Sequence, residues 1–177
     1  MYIITYFQNN IKKKKRMENK GKELRMYFFV PYNVSPIQAG IQALHAVVRY
    51  GLRYHDDPEY FDWALNHETV VILNGGTSNT ITLQPGSMEE KIEYLKSKNF
   101  RHSVFNEPDL NYMTSGICFL LDERYFKKDA IWDSLIEDYL NPSDRYEPSK
   151  LRDIFGINFH DVIEMRLWLA NQRLANN

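Results

Sequence analysis

The chain has 177 residues, 44% hydrophobic, 14% aromatic and 25% charged, which supplies one core and excludes a disordered or fibrous composition. A single cysteine, Cys118, excludes an internal disulfide framework or a cysteine-based zinc site and suits a reducing, cytoplasmic setting. The net charge of −1 hides a division: residues 1–25 carry eight of the 22 Lys/Arg and two of the 23 Asp/Glu, a local +6, which leaves −7 on residues 26–177.

Residues 1–25 read as a basic, disordered leader, able to tether nucleic acid because clustered cations release counterions from phosphate. No apolar segment of a secretory signal follows its lysines, and no run approaches the roughly 18–20 apolar residues that cross a bilayer, so no membrane association is expected. Met17 and Met26 are alternative starts, and Met26 is placed directly before the first strand.

The apolar run Met26 to Val30 predicts a strand that feeds a helix over 36–54. Ser35 suits its N-cap, Pro36 its first turn, and Gln38 the reciprocal acceptor of a capping box. Ile37, Ile41, Leu44, Val48 and Leu52 recur at three-or-four spacing and are expected to be the buried stripe. Gln38, Gln42, His45 and Arg49 form a polar stripe about 100° round, and Ala39, Ala43 and Ala46 line a third side, where small residues let a helix lie close to a sheet.

Asp57-Pro58 starts a second short helix through Phe61, Ala64 and Leu65, ending near Asn66-His67. Thr69 to Leu73 then reads as a central strand covered on both faces, broken by Asn74-Gly75-Gly76. Thr80 to Leu83 fits either a hairpin arm or an extended loop, closed by Pro85-Gly86. Ser87 with Glu90 predicts a second capping box, opening a helix through Met88, Ile92 and Leu95 to about Lys98. A short strand at Ser103 to Phe105 stops before Pro108, and a strong one follows from Thr114 to Leu121. From Lys127 the signals are helical: Ile131, Trp132, Leu135, Ile136 and Tyr139; then Pro148 to Phe155, ended by Gly156; then a helix opened by Asn158 with Asp161. Phe159, Ile163, Leu167, Ala170 and Leu174 form the stripe of that last helix, which could cover a sheet edge, make a homodimer contact or close a cleft.

This order predicts an α/β domain over 26–126, a small four-stranded mixed sheet flanked by helices, mainly parallel and closed by one antiparallel pair. The helical extension over 127–177 is expected to pack on the same domain. Asn74-Gly75-Gly76 lacks the Lys and Ser/Thr of a phosphate-binding loop, the five histidines are scattered without helical metal spacing, and no nucleophile-elbow motif occurs. No cofactor or metal is therefore expected.

Gln38-Ala39-Gly40-Ile41-Gln42-Ala43-Leu44-His45-Ala46, after a short apolar strand, resembles the first-helix signature of the type 2 peptidyl-tRNA hydrolase family, roughly Gly-Lys-Ile-Ala-Ala-Gln-x-x-His-Ala. Gln42, His45 and Ala46 match directly, and the element order over about the middle hundred residues is similar to that family's four-stranded fold. The resemblance implies hydrolysis of the ester between a peptide and tRNA, with Glu107, Thr114 and Gln38 as catalytic candidates and Asn33, Gln42, His45 and Asp109 as substrate contacts. The chain departs from the pattern where the family carries lysines, at Asn33, Pro36 and Gln38, so the cations that would hold phosphate or an oxyanion are missing. The resemblance also admits a family relative without catalysis that serves as a binding module, which the −7 balance of residues 26–177 favours. Gln38 reads equally as a cap, and His45 reads as a packed, hydrogen-bonded ring ahead of a general base. If Leu44 is core, Leu44→Ala should cost roughly 2–5 kcal/mol.

Overall fold

The computed structural model describes residues 22–79, 86–128, 130–141 and 159–175. Its centre is β1 (Leu24–Pro31), whose residues are almost all large and apolar and almost all buried. Successive strand side chains point to opposite faces, so such a run needs cover on both sides. Met26 and Phe28 face one core with Ala43, Ala46, Tyr50 and Trp63, while Tyr27 and Phe29 face a second core with Met88, Leu95 and Met165. β1 starts at Leu24, so Met26 is the strand's third residue and stands inside it, fully buried, with Leu24 on the same core.

Four strands form one mixed sheet in the order β2-β1-β4-β3, where β2 is Thr69–Gly76, β3 is His102–Glu107 and β4 is Met113–Asp122. β1 pairs in parallel with β2, and β4 is antiparallel to both β1 and β3. Three strands thus share a direction, but the reversed β4 lies between two of them and creates two antiparallel pairings where one was expected. The β3–β4 turn is short, so β4 must run back beside β3 before reaching β1. β2, expected to be central, is an edge strand with Val70 49% exposed, and it continues through Asn74 to Gly76. Its β-branched run suits a covered face equally well at an edge, because the chain near Leu174 seals that edge. Asn74 N–H donates to Arg173 O at 2.8 Å, and Ala175 N–H to Ile72 O at 3.0 Å.

The long helix α1 (Pro36–Arg53) covers one face. It packs through Ala39, Gln42, Ala43, Ala46 and Tyr50, whereas Ile37, Ile41, Leu44, Val48 and Leu52 are 45–78% exposed. The expected buried stripe therefore points away from the sheet. Close approach decides this: a Cβ at Gly116 of β4 would lie 2.6 Å from the Gln42 carbonyl and 3.2 Å from Ala46 Cβ. Over Gly116 small side chains such as Ala46 fit at that separation, and a row of Ile and Leu would force the helix off the sheet.

α2 (Pro58–Asp62) is capped by Asp57 and runs into a π-helical turn at Trp63–His67. On the opposite face lie α3 (Ser87–Ser97) and α5 (Phe159–Ala170), with α4 (Ala130–Leu140) against α5. Trp168 of α5 meets Phe29 at 5.3 Å and stacks on Tyr94 of α3 at 4.3 Å. α5 buries Phe159, Val162, Ile163, Met165 and Arg166, while Ala170 of the expected stripe is exposed and Leu174 lies beyond the helix. α3 is capped one residue earlier than expected: Glu89, in place of Glu90, accepts from the Gly86 N–H at 2.8 Å, and Ser87 Oγ instead donates to Gly75 O at 2.9 Å. Residues 1–21 of the expected leader, Thr80 to Leu83, Pro148 to Phe155, Gly156 and Asn158 lie outside the described residues.

Gly116→Ala should destabilise the fold by about 1–3 kcal/mol because helix or strand must move. Leu44→Ala should change stability by no more than about 0.5 kcal/mol, as at an exposed position. Urea unfolding of the two variants at low protein concentration distinguishes the seated face from the free one.

Candidate functional site

A cleft of about 390 Å³ opens where β1 and β2 end, β4 begins and α1 starts. Two sheet irregularities shape this end. The β1–β2 register shifts between Val30 and Pro31, and the β3–β4 register shifts between Phe105 and Asn106, leaving Ser115 as the extra residue. A bulge re-aims side chains that strict alternation would send elsewhere. Here Thr114 and Ser115 are both buried, at 2% and 3% exposure, and both line the cleft.

Four residues proposed from the sequence meet there: Asn33 from the β1–α1 loop, Gln38 and Gln42 from α1, and Thr114 from β4. Gln42 joins them to Glu107. Its Nε2 donates to Glu107 Oε2 at 2.9 Å, while its Oε1 accepts from Ser115 Oγ at 2.8 Å. Both ends of a buried amide are thus satisfied, as burial demands. Glu107 is held further by its own backbone, whose carbonyl accepts from Tyr112 N–H at 2.9 Å across a turn where Asn111 and Tyr112 both have positive φ.

Gln38 has the capping role: its Oε1 accepts from Ser35 N–H at 3.1 Å, and its own N–H donates to Ser35 Oγ at 3.2 Å. Pro36 has no N–H, so Ile37 supplies the one first-turn donor that the cap does not use. His45 and Asp109 are not brought into the cleft. His45 is exposed and stacks on Phe105 with ring centroids 4.5 Å apart, and Asp109 is exposed on the turn after β3.

Sequence reasoning missed Ser115, the Thr77-Ser78-Asn79 segment and Glu89. Ser78 Oγ donates to Glu89 Oε1 at 2.9 Å and Asn79 N–H to Oε2 at 3.2 Å, so one carboxylate on α3 fixes the wall that follows β2. Burial alone would raise the Glu89 pKa, but hydrogen bonds from Asn79, Ser78 and Thr114 outweigh it and hold the carboxyl below its ordinary 4.5. The only trace in the sequence was the capping pattern after Gly86, whose partner sat one position away from the expected Glu90. Among the described residues no cluster of His, Cys, Asp and Glu is arranged to hold a metal, and no helix is long and apolar enough to cross a membrane. Cys118 is fully buried, which pushes its thiol up to about 12, and it takes no part in the cleft.

The chain matches no protein-family model, and a search of curated proteins finds no match.

Because the folded pKa of Glu89 is depressed, its stabilisation is complete above about 4.5, the unfolded value, and is lost as pH falls through the lower folded value. Glu89→Gln should therefore flatten the loss of stability below pH 4.5, read as urea midpoints across an acid series.

Proposed function

We propose that the cleft hydrolyses the ester joining a peptidyl group to the 3′ end of tRNA, as the resemblance to type 2 peptidyl-tRNA hydrolases implies. The observation that carries this reading is the convergence of Asn33, Gln38, Gln42 and Thr114 on one cleft, with the Glu107 carboxylate bonded to Gln42 beside it. Glu107 Oε2 is occupied by Gln42, and Oε1 has no protein partner among the described residues, so it is the oxygen available to a water. That water attacks the ester carbonyl and its proton passes to Glu107. The carbon–oxygen bond to the ribose then breaks, and the proton goes to the leaving 3′ oxygen. Asn33, which lines the cleft beside the start of α1, is a neutral donor for the developing oxyanion.

No charged side chain among the described residues lines the cleft, so what enters it is the neutral acyl and peptide end. The same observation favours a second reading, a family relative that binds its ligand without turnover, because no cation is present to hold phosphate there.

N-blocked aminoacyl-tRNA incubated with wild type and with Glu107→Gln separates the two. An enzyme shows hydrolysis that falls at least about a hundredfold in the variant, with stability changed by less than about 1 kcal/mol since the amide oxygen still accepts from Gln42. Retention of the tRNA without cleavage by wild type identifies the binding module.

A further inference from the structure

The polar stripe of α1 does not end at the cleft. Beyond Gln38 and Gln42 it continues through His45 and Arg49 to Arg53, all three exposed. Arg49 lies over the Phe105 ring at 5.0 Å and Arg53 over the Tyr54 ring at 5.5 Å. With Leu52, Ser103 and Val104 they line a groove of about 550 Å³ between the helix and β3. A ring beneath a guanidinium positions it without using its N–H donors. Arg25, Arg101 and Arg124 are each neutralised by a carboxylate, of Glu23, Asp57 and Asp122. Arg49 and Arg53 have no carboxylate partner among the described residues. α1 holds no acidic residue and β3 only Glu107, so the rest of the acidic excess of residues 26–177 is carried outside the two walls of the groove.

We infer that this groove holds phosphates of the single-stranded RNA end whose acyl group enters the cleft, an inference that rests on the reading of the cleft as a site for the tRNA 3′ end. Groove and cleft share one strand. β3 runs from Ser103 and Val104 in the groove, through Phe105 beneath Arg49, to Glu107, which is bonded to Gln42. Along α1 the two arginines stand roughly 10 and 17 Å from Gln42 and about 6 Å from each other. One helical turn is also close to the spacing of neighbouring phosphates on an extended strand, so each guanidinium can take one phosphate through paired N–H donors. His45 stands between the arginines and the cleft with its ring on Phe105, an exposed flat surface on which a base of any identity can stack. The lysines missing at Asn33, Pro36 and Gln38 are thus answered two to four turns later on the same helix: the uncharged cleft takes the acyl end, and the anionic part of the same molecule meets cations beyond it.

Binding of a deacylated RNA hairpin with a single-stranded 3′ tail to the full chain, followed by fluorescence anisotropy across a salt series, tests it. Arg49→Gln with Arg53→Gln should weaken binding at least about tenfold and flatten the slope of log K against log salt by about 1.4, the contribution of two single-strand phosphates. The basic residues 1–25 are common to both proteins and cancel in the comparison. Arg49→Lys with Arg53→Lys keeps the charge and should keep most of the slope, which separates phosphate binding from packing lost over Phe105 and Tyr54. In hydrolysis, the Gln pair should raise KM for N-blocked aminoacyl-tRNA at least about tenfold with kcat unchanged, and should cleave N-blocked aminoacyl-adenosine, which lacks the phosphates, as wild type does. Cleavage with a salt slope and KM that the Gln pair leaves unaltered overturns the inference and leaves the hydrolysis standing. Arginine-dependent binding of the hairpin without any cleavage supports the inference and removes the hydrolysis. A blunt hairpin that binds as tightly as the tailed one overturns the inference, and so does polyglutamate that binds wild type more tightly than the RNA and displaces it, which would make the groove a site for acidic peptide.

Discussion

The seating of α1 on the sheet is the constraint from which the rest follows. Ala39, Ala43 and Ala46 above put nothing larger than a methyl group between the helix backbone and β4, and Gly116 below adds no side chain at all. At Gly116 the strand meets the helix backbone at the Gln42 carbonyl, so Gln42 reaches Ser115 and Glu107 with an ordinary side chain. A bulkier face would keep the same fold class and lift the amide out of reach. Dispersion across so short a gap is lost steeply when the surfaces separate, which makes the position of Gln42 well defined.

Gln42 then acts as the junction between core and cleft. Its amide is oriented by two unlike partners, a carboxylate that accepts and a hydroxyl that donates, so it has one satisfied orientation. This holds Glu107 from one side and leaves its second oxygen available. Glu89 performs the matching task across the cleft, tying Ser78 and Asn79 to the start of α3. The two walls are thus fixed by carboxylates that the lining itself does not contain. Electrostatic influence in the cleft comes from Glu107 at its side and the α1 terminus, in a body that carries −7.

The two faces of the sheet are covered by different means. On the α1 side small residues allow contact with the backbone, and on the other side Trp168, Tyr94, Phe29 and Phe119 fill a wider space with rings. The close face cannot accept Ile or Leu, so the helix's large aliphatic residues are left outside. Among the aliphatic residues of α1, burial and bulk are therefore inverted: Ala39, Ala43 and Ala46 are core, and Ile37, Ile41, Leu44, Val48 and Leu52 are surface.

Much was legible in the sequence alone. Four strands, their approximate limits and the Ser35 and Asp57 caps followed from periodicity and from local hydrogen-bonding chemistry, which act within a few residues. Asn33, Gln38, Gln42, Thr114 and Glu107 were named from the resemblance, and they assemble at one end of the sheet. Tertiary structure alone decided which stripe of α1 is buried, because amphipathic spacing shows that a helix has faces and not how near the partner surface lies. It also decided that β4 lies between β1 and β3, that β2 is an edge sealed by the chain near Leu174, and that His45 packs on Phe105 away from the cleft. Ser115 and Glu89 joined the site through a register shift and a cap displaced by one residue. Such features depend on which distant strand or loop supplies the partner, and no local pattern carries that information.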